Sequence, residues 1–438
     1  MPLFPFSALS EPIEVHRLSN GLAVVLHRFS APAIGLSFMI RCGPVFETAK
    51  NNGVSHFLEH MLFRGTPEYP DASQLSMALD RVGAEANAAT FSDMTIVSIK
   101  LLPETLLEGL RLFRSMLTRP VFDGVTAERK IILEECLEDY DEEGRIIAID
   151  QLSSQLLFGD HPYALAITGD AASVKRLGRK HLQDHLHRYY RPDAGVICIG
   201  GQIALSKALS DVRAVFSDWK NPAGTAPKSD LLPEPVFEGP RLIRVESPRS
   251  QVNARLSFFG LPFNDPDYFL QKALIRILDA PSGSPLRQAV QDKGGFCYSF
   301  SCGIDAYERA GALHIDLTVQ PNRLVDALGV CLDVLGRMQS DGVDEATLQH
   351  MLQQYLKGKR FAMVDLWDFS SRYGFRELFP TPLDFPAEFA ATLRLTPRAL
   401  HRMIKRLFKR RNLGLTVVGP VTFAHEKRIR KLFQRFPE

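Results

Sequence analysis

Two spacings of apolar residues run through this chain. Short runs rich in β-branched residues, Leu22–Leu26, Ile34–Ile40, Thr95–Leu101 and Val196–Ile199, have the length and composition of buried strands. Longer stretches near 53–63, 104–117 and 126–142 carry apolar residues every three or four positions and predict amphipathic helices. Strands come in neighbouring pairs, followed by pairs of helices, without strict strand–helix–strand alternation. That order predicts an α+β fold: an antiparallel-rich sheet with helices packed on one face.

The pattern occurs twice. Between Trp219 and Pro240 the chain holds five prolines and no helical period, as an extended linker would. Across it, Asp123-Gly124-Val125 recurs as Asp341-Gly342-Val343, an offset of 341 − 123 = 218. Leu177 and Leu182 reappear at Leu395 and Leu400 with the same offset. The strand-like RPDAGVICIGG (191–201) matches RRNLGLTVVGP (410–420) at an offset of 410 − 191 = 219. Collinear matches of this kind predict a duplicated domain, with halves at 1–218 and 241–438 joined by a linker at 219–240.

Composition narrows the function. Fifty-two Lys and Arg against 50 Asp and Glu leave a formal charge of +2, too balanced for a nucleic-acid or acidic-membrane partner. No apolar stretch reaches the roughly 18 residues of a membrane span. The opening MPLFPFSALSEP lacks the basic and apolar regions of a cleaved secretory signal. The six cysteines are scattered, with no CxxC, as small buried hydrophobes in a reducing compartment would be. The expected location is therefore cytoplasmic.

The chemistry lies in GVSHFLEHMLFRGT (53–66). On a helix His56 and His60 stand one turn apart on the same face, with Glu59 about 60° from His56 around the wheel. Two neutral imidazoles suit Zn²⁺, and a carboxylate that is not a ligand can take a proton from the metal-bound water. The order H-x-x-E-H reverses the commoner H-E-x-x-H. A catalytic zinc usually has three protein ligands and an open position, so a third ligand is required. The stretch 126–142 supplies it. Ile131, Ile132 and Leu137 define its apolar face, and Glu128, Glu135 and Glu142 form a neighbouring stripe at seven-residue spacing. Glu135, mid-helix, is the third ligand. Glu128, two turns earlier, is placed to accept the free N–H of a zinc-bound histidine. One Zn²⁺ per chain follows.

The second half lacks this chemistry. Adding 218 carries Glu128 to Ala346 and Glu135 to Gln353, and no histidine occurs between His187 and His314. That half is left to shape a chamber, bind substrate or stabilise the first.

These residues resemble the pitrilysin/insulinase family of zinc peptidases, the inverzincins, and within it the mitochondrial-processing-peptidase-like branch. The likeness spans LSNGLAVVLH (18–27), GVSHFLEHMLFRGT (53–66), GAEANAATFSDMT (83–95), ERKIILEE (128–135), HPYALAITG (161–169) and SPLRQAVQDKGGFCYSF (284–300). It implies His56, His60 and Glu135 as zinc ligands, Glu59 as general base and Glu128 as the supporting glutamate. Ala86-Asn87-Ala88 matches the family's edge strand, so Asn87 and Ala88 are implied to hold a peptide by β-augmentation. Tyr298 matches a tyrosine that reaches the substrate. The arginine that usually stands seven residues before it is Gln291 here, and Arg287 lies four residues earlier.

The implied activity is a zinc endopeptidase for peptides or small unfolded or precursor proteins. The broken Arg/Tyr pair implies a partner: a sister subunit carrying the pair, as in bacterial members that divide the labour in a heterodimer, with a homodimer the other arrangement. The competing reading is a catalytically silent relative acting as an assembly or chaperone-like subunit. Degenerate subunits of that kind typically lose the HxxEH set, which is intact here.

Overall fold

A computed structural model describes residues 13–226, 232–280, 283–362, 366–382 and 385–438. The apolar runs form the central strands of two sheets. In the first, β1 (Ile13–Arg17), β2 (Ala23–Arg28), β3 (Ile34–Ile40), β4 (Glu85–Thr90), β5 (Thr95–Leu101) and β6 (Gly195–Gly201) are ordered β1-β2-β6-β3-β5-β4. In the second, β7 (Arg241–Glu246), β8 (Val252–Gly260), β9 (Cys297–Ala306), β10 (Gly311–Val319) and β11 (Leu413–Gly419) are ordered β7-β11-β8-β10-β9. Only β2/β6 and β7/β11 are parallel; every other pair is antiparallel. β3 and β6 are buried at every position, which is why their sequences show no alternation.

Apart from β1, the two sheets have the same topology, and their elements repeat at one offset. β2 and β7 start 241 − 23 = 218 residues apart, β3 and β8 252 − 34 = 218, and β6 and β11 413 − 195 = 218. The helices Arg179–Tyr189 and Pro397–Leu407 keep the offset, as do Leu205–Phe216 and Phe423–Arg435. The repeated Asp-Gly-Val also has a backbone cause. Gly124 and Gly342 sit at φ 84° and 81°, a positive-φ turn open to glycine, each in the connection that leads from one helix to the next.

Helices cover one face of each sheet and form a separate apolar core with it. The chain then does something that a linear division does not show. One compact unit comprises 1–136, 166–231 and 360–380, and the other 137–165, 232–359 and 381–438. The helix Leu366–Leu378 packs across β6, β3 and β2, whereas its counterpart in the first half, Ile149–Phe158, packs across β11, β8 and β7. Each lies on the sheet face opposite the main helical layer. Ile197 and Ile199 face the first core while Cys198 faces Gly374; Leu413 and Leu415 face the second core while Gly414 faces Leu156. No described residue in 219–226 or 232–240 is helical or in a strand, and 227–231 of the expected linker lie outside the described residues. No helix among the described residues is long and apolar enough to cross a membrane.

The contacts of the two exchanged helices are complementary in volume. In the second unit Leu156 of the helix presses against Gly414 of β11, leaving no room for a side chain there. At the equivalent place in the first unit the small residue is on the helix. A Cβ on Gly374 would run into Cys198 Sγ and lie 2.9 Å from Met39 Sδ and 3.6 Å from Val196 Cγ1. Positions 156 and 374 differ by 218, as do 196 and 414, so knob and hole are reversed between the units. Glycine on both sides would leave a void, and large residues on both would collide. Gly374→Leu is therefore expected to destabilise the chain by about 1–3 kcal/mol through overpacking. Thermal unfolding checks this, and a transition unchanged from wild type would show that the contact does not select the helix.

Candidate metal centre

The helix Val54–Met61 turns Val54, Phe57, Leu58 and Met61 into the core, which leaves His56, Glu59 and His60 along its other side. Its N-terminus is held by a buried acid: Glu47 accepts from Gly53 N at 2.7 Å, Ser55 N at 2.8 Å and Asn52 Nδ2 at 2.9 Å. A carboxylate there satisfies free backbone N–H groups and opposes the helix dipole. The helix also begins in a tight crossing. Gly53 (φ 89°) lies against Gly169 (φ 80°), and a Cβ on Gly169 would sit 2.6 Å from Asn52 O and 2.9 Å from Gly53 Cα. The carbonyls of Thr168 and Gly169 in turn accept from Cys136 Sγ at 3.8 and 3.6 Å. The 166–169 segment thus sits between the two helices that carry the expected ligands and sets their spacing.

The second of those helices is Val125–Leu137, shorter than the expected 126–142, so Glu142 lies beyond its end. Its expected apolar face is corrected here. Ile131 and Leu137 are 49% and 57% exposed, and the buried stripe is Val125, Glu128, Ile132 and Cys136. Glu128 takes an inward position that periodicity would reserve for an apolar residue. A buried carboxylate has to be paired. Glu128 accepts from His60 Nδ1 at 2.8 Å and forms an ion pair with Arg64.

Two turns onward, Glu135 reaches the histidines. His56 Nε2 lies 3.5 Å from Glu135 Oε1, His60 Nε2 lies 3.7 Å from Glu135 Oε2, and the two Nε2 atoms are 3.3 Å apart. All the ligand atoms fall within 4.8 Å of one another. The donor set fits a zinc ion. With Nδ1–H of His60 donated to Glu128, its Nε2 keeps a lone pair. Burial, reinforced by the neighbouring His60, pushes the His56 imidazole down to about 4, so it is neutral at physiological pH. Two imidazole nitrogens and one carboxylate are the composition of three-ligand catalytic zinc sites.

Glu59 is half-buried beside this cluster and receives a hydrogen bond from the Thr90 hydroxyl. Burial raises its carboxyl above the usual range; the Thr90 hydrogen bond opposes the rise. Thr90 ends β4, the outermost strand of the first sheet, and Asn87 and Ala88 lie on the same strand with Asn87 exposed. Tyr298 lies on β9, the edge strand of the second sheet, and is 81% exposed. Gln291 is tied down: it donates from Nε2 to the Tyr298 carbonyl at 2.9 Å and accepts from Arg287 Nη1 at 3.0 Å. Arg287 is itself paired with Asp279 at 2.8 Å and stacked on Phe300, 4.9 Å from the ring centroid. It is a structural cation.

Three contributors escaped the sequence reading. Arg64 stands four residues after His60, a spacing that could have flagged it. Thr90 shares the inward alternation of Ala86 and Ala88, a weaker signal. Glu47 had none, since its partners form only after the loop folds.

Comparison with known proteins gives the family. Residues 23–170 match the family described as "Insulinase (Peptidase family M16)", and residues 176–355 match "Peptidase M16 inactive domain". The "uncharacterized zinc protease YmxG" of Bacillus subtilis is 27% identical over 369 residues, 84% of this chain and 88% of that protein. The beta subunit of the mitochondrial-processing peptidase of Saccharomyces cerevisiae is 26% identical over 311 residues, 67% of this chain and 66% of that one. In fold, a protease from Helicobacter pylori superposes with a TM-score of 0.87 at 19% identity, covering 94% of this chain and all of that one. The chain belongs to the pitrilysin/insulinase family of zinc peptidases, in its mitochondrial-processing-peptidase-like branch.

The pairing of Glu128 makes a prediction. Glu128→Ala leaves His60 Nδ1 without its acceptor and Arg64 without its counter-ion. Zinc affinity, measured by chelator competition, should fall about 10–100-fold while the far-ultraviolet circular dichroism stays unchanged. Undiminished affinity would mean that packing alone orients His60.

Proposed function

We propose that this chain is a zinc endopeptidase that cleaves peptides or small unfolded or precursor proteins. The observation that carries the proposal is the convergence of His56, His60 and Glu135 with an uncoordinated carboxylate, Glu59, half-buried alongside. His56, His60 and Glu135 hold one Zn²⁺. When bound, the ion supplies Lewis acidity, polarising a carbonyl oxygen and bringing the acidity of water toward neutral pH. Glu59 accepts the proton of the attacking water on its carboxylate and returns it to the leaving amine. β4 holds the peptide extended, with main-chain groups near Asn87 and Ala88 pairing with the peptide backbone; such binding tolerates many sequences. Tyr298 offers an exposed phenol to the substrate. The six cysteines are free thiols, as suits a cytoplasmic protein.

Glu59→Gln keeps the shape of the side chain but removes its basicity. This variant should bind zinc like wild type and lose at least about 100-fold in kcat. Glu135→Gln should instead lose the metal, since two imidazoles alone hold zinc weakly. The two variants are read by zinc content and by hydrolysis of a fluorogenic peptide. Zinc loss in Glu59→Gln would remove it from the role of base, and full zinc content in Glu135→Gln would remove that residue from the ligand set.

We further propose that the chain acts as the zinc-bearing subunit of a dimer with a sister of the same family. Arg287 is committed to Asp279 and Phe300, and Gln291 donates to a backbone carbonyl, so neither is a free cation for the substrate. A neutral donor is about half as strong as a charged one. The expected result is weak hydrolysis by the purified chain, raised about 10²–10³-fold by a sister that carries the Arg/Tyr pair and partly by Gln291→Arg. Full activity of the isolated chain, indifferent to both, would show that no partner is needed.

A further inference from the structure

We propose that Thr90 is a positioning residue for the reaction: it fixes the carboxylate of Glu59 from the same strand that offers its free edge to the peptide. The inference rests on the peptidase reading above and extends it to a residue outside the zinc and base set.

A glutamate has three side-chain torsions, and ordering them costs entropy that a general base must recover through a fixed contact. Glu59 reaches past its own helix, and the hydroxyl of Thr90 donates to its Oε2. The donor is itself rigid. Thr90 is β-branched, only 8% exposed and paired in register with Thr95. Thr95 is fully buried and donates from its hydroxyl to Cys42 O at 2.9 Å, and Phe91 N donates to Met94 O at 2.7 Å to close the hairpin. The contact therefore runs from the core through a locked hairpin end to the base.

Alternation along β4 gives the contact its consequence. Ala86 and Ala88 pack against the core and Thr90 is buried, whereas Glu85 and Asn87 face solvent. The outer edge of β4 carries no strand among the described residues. A peptide added there would lie in the plane of the sheet, and Thr90 sets the height of the base above that plane. Strand and base then move as one body, so a peptide docked on β4 meets Glu59 at a defined distance.

The test uses the full chain loaded with zinc, as wild type, Thr90→Val and Thr90→Ser. Valine keeps the β-branch and volume and removes the hydroxyl; serine keeps the hydroxyl. Four quantities are read: zinc affinity by chelator competition, the affinity of a dipeptide hydroxamate, and kcat and KM for a fluorogenic peptide. A hydroxamate needs an oriented carboxylate beside the metal to accept its hydroxyl proton, so it reports the position of Glu59 without turnover. Thr90→Val should bind zinc like wild type, lose about tenfold in hydroxamate affinity and in kcat, and keep KM within about twofold. Thr90→Ser should recover most of both losses. Wild-type hydroxamate affinity in Thr90→Val, or no recovery in Thr90→Ser, would overturn the proposal. If no peptide is cleaved by wild type, with or without a sister subunit, the peptidase reading falls, and the hydroxamate series still decides the role of Thr90.

Discussion

Three donor atoms on two separate helices have to lie within 4.8 Å of one another, and much of the first unit is arranged around that requirement. Bringing two imidazoles and a carboxylate together without a cation sets lone pairs against each other. The surroundings hold them there. Glu47 anchors the start of the histidine helix, the Gly53–Gly169 crossing spaces it from the next, and Cys136 ties that helix to the same segment. Only glycine allows the two backbones to approach this closely.

The cost of the site is visible in the helix that supplies Glu135. Its inward stripe contains a glutamate, while Ile131 and Leu137 face solvent, so it buries a charge and exposes hydrocarbon. Each choice is unfavourable by itself. The pairing of Glu128 with His60 and Arg64 offsets the first and turns a buried charge into a contact that orients the His60 ring. Local rules broken at one place and satisfied elsewhere in the fold are common where chemistry is done.

Duplication separates scaffold from chemistry. Both halves build the same strand order and the same positive-φ turn, yet Ala346 and Gln353 stand where the first half has Glu128 and Glu135. What survives in the second half is what packing needs. The exchanged helices make the same point at the level of single side chains. Leu156 over Gly414 and Gly374 against Cys198 solve one geometric problem in opposite ways, and each solution suits only its own sheet.

How much of this could be read from the chain depends on how local each interaction is. The histidine pair and Glu59 lie within a single helical turn, so helix geometry alone put them on one face. The strands were legible because β-branched runs bounded by glycine have few alternatives, and the duplication because two glycine turns and two strands kept their offset. Glu128 and Glu135 were legible as a stripe, but Glu128 was not legible as part of the buried face, because periodicity assumes that inward positions are apolar. Contacts across long chain separations were settled by the tertiary fold. Glu47 meets the helix start through a loop, Thr90 meets Glu59 through the register of a hairpin 31 residues away, and Arg287 is bound to Asp279 and Phe300. The exchange of Ile149–Phe158 and Leu366–Leu378 is the extreme case. Each has the same amphipathic pattern whichever sheet it covers, and only the shape of the opposing surface decides.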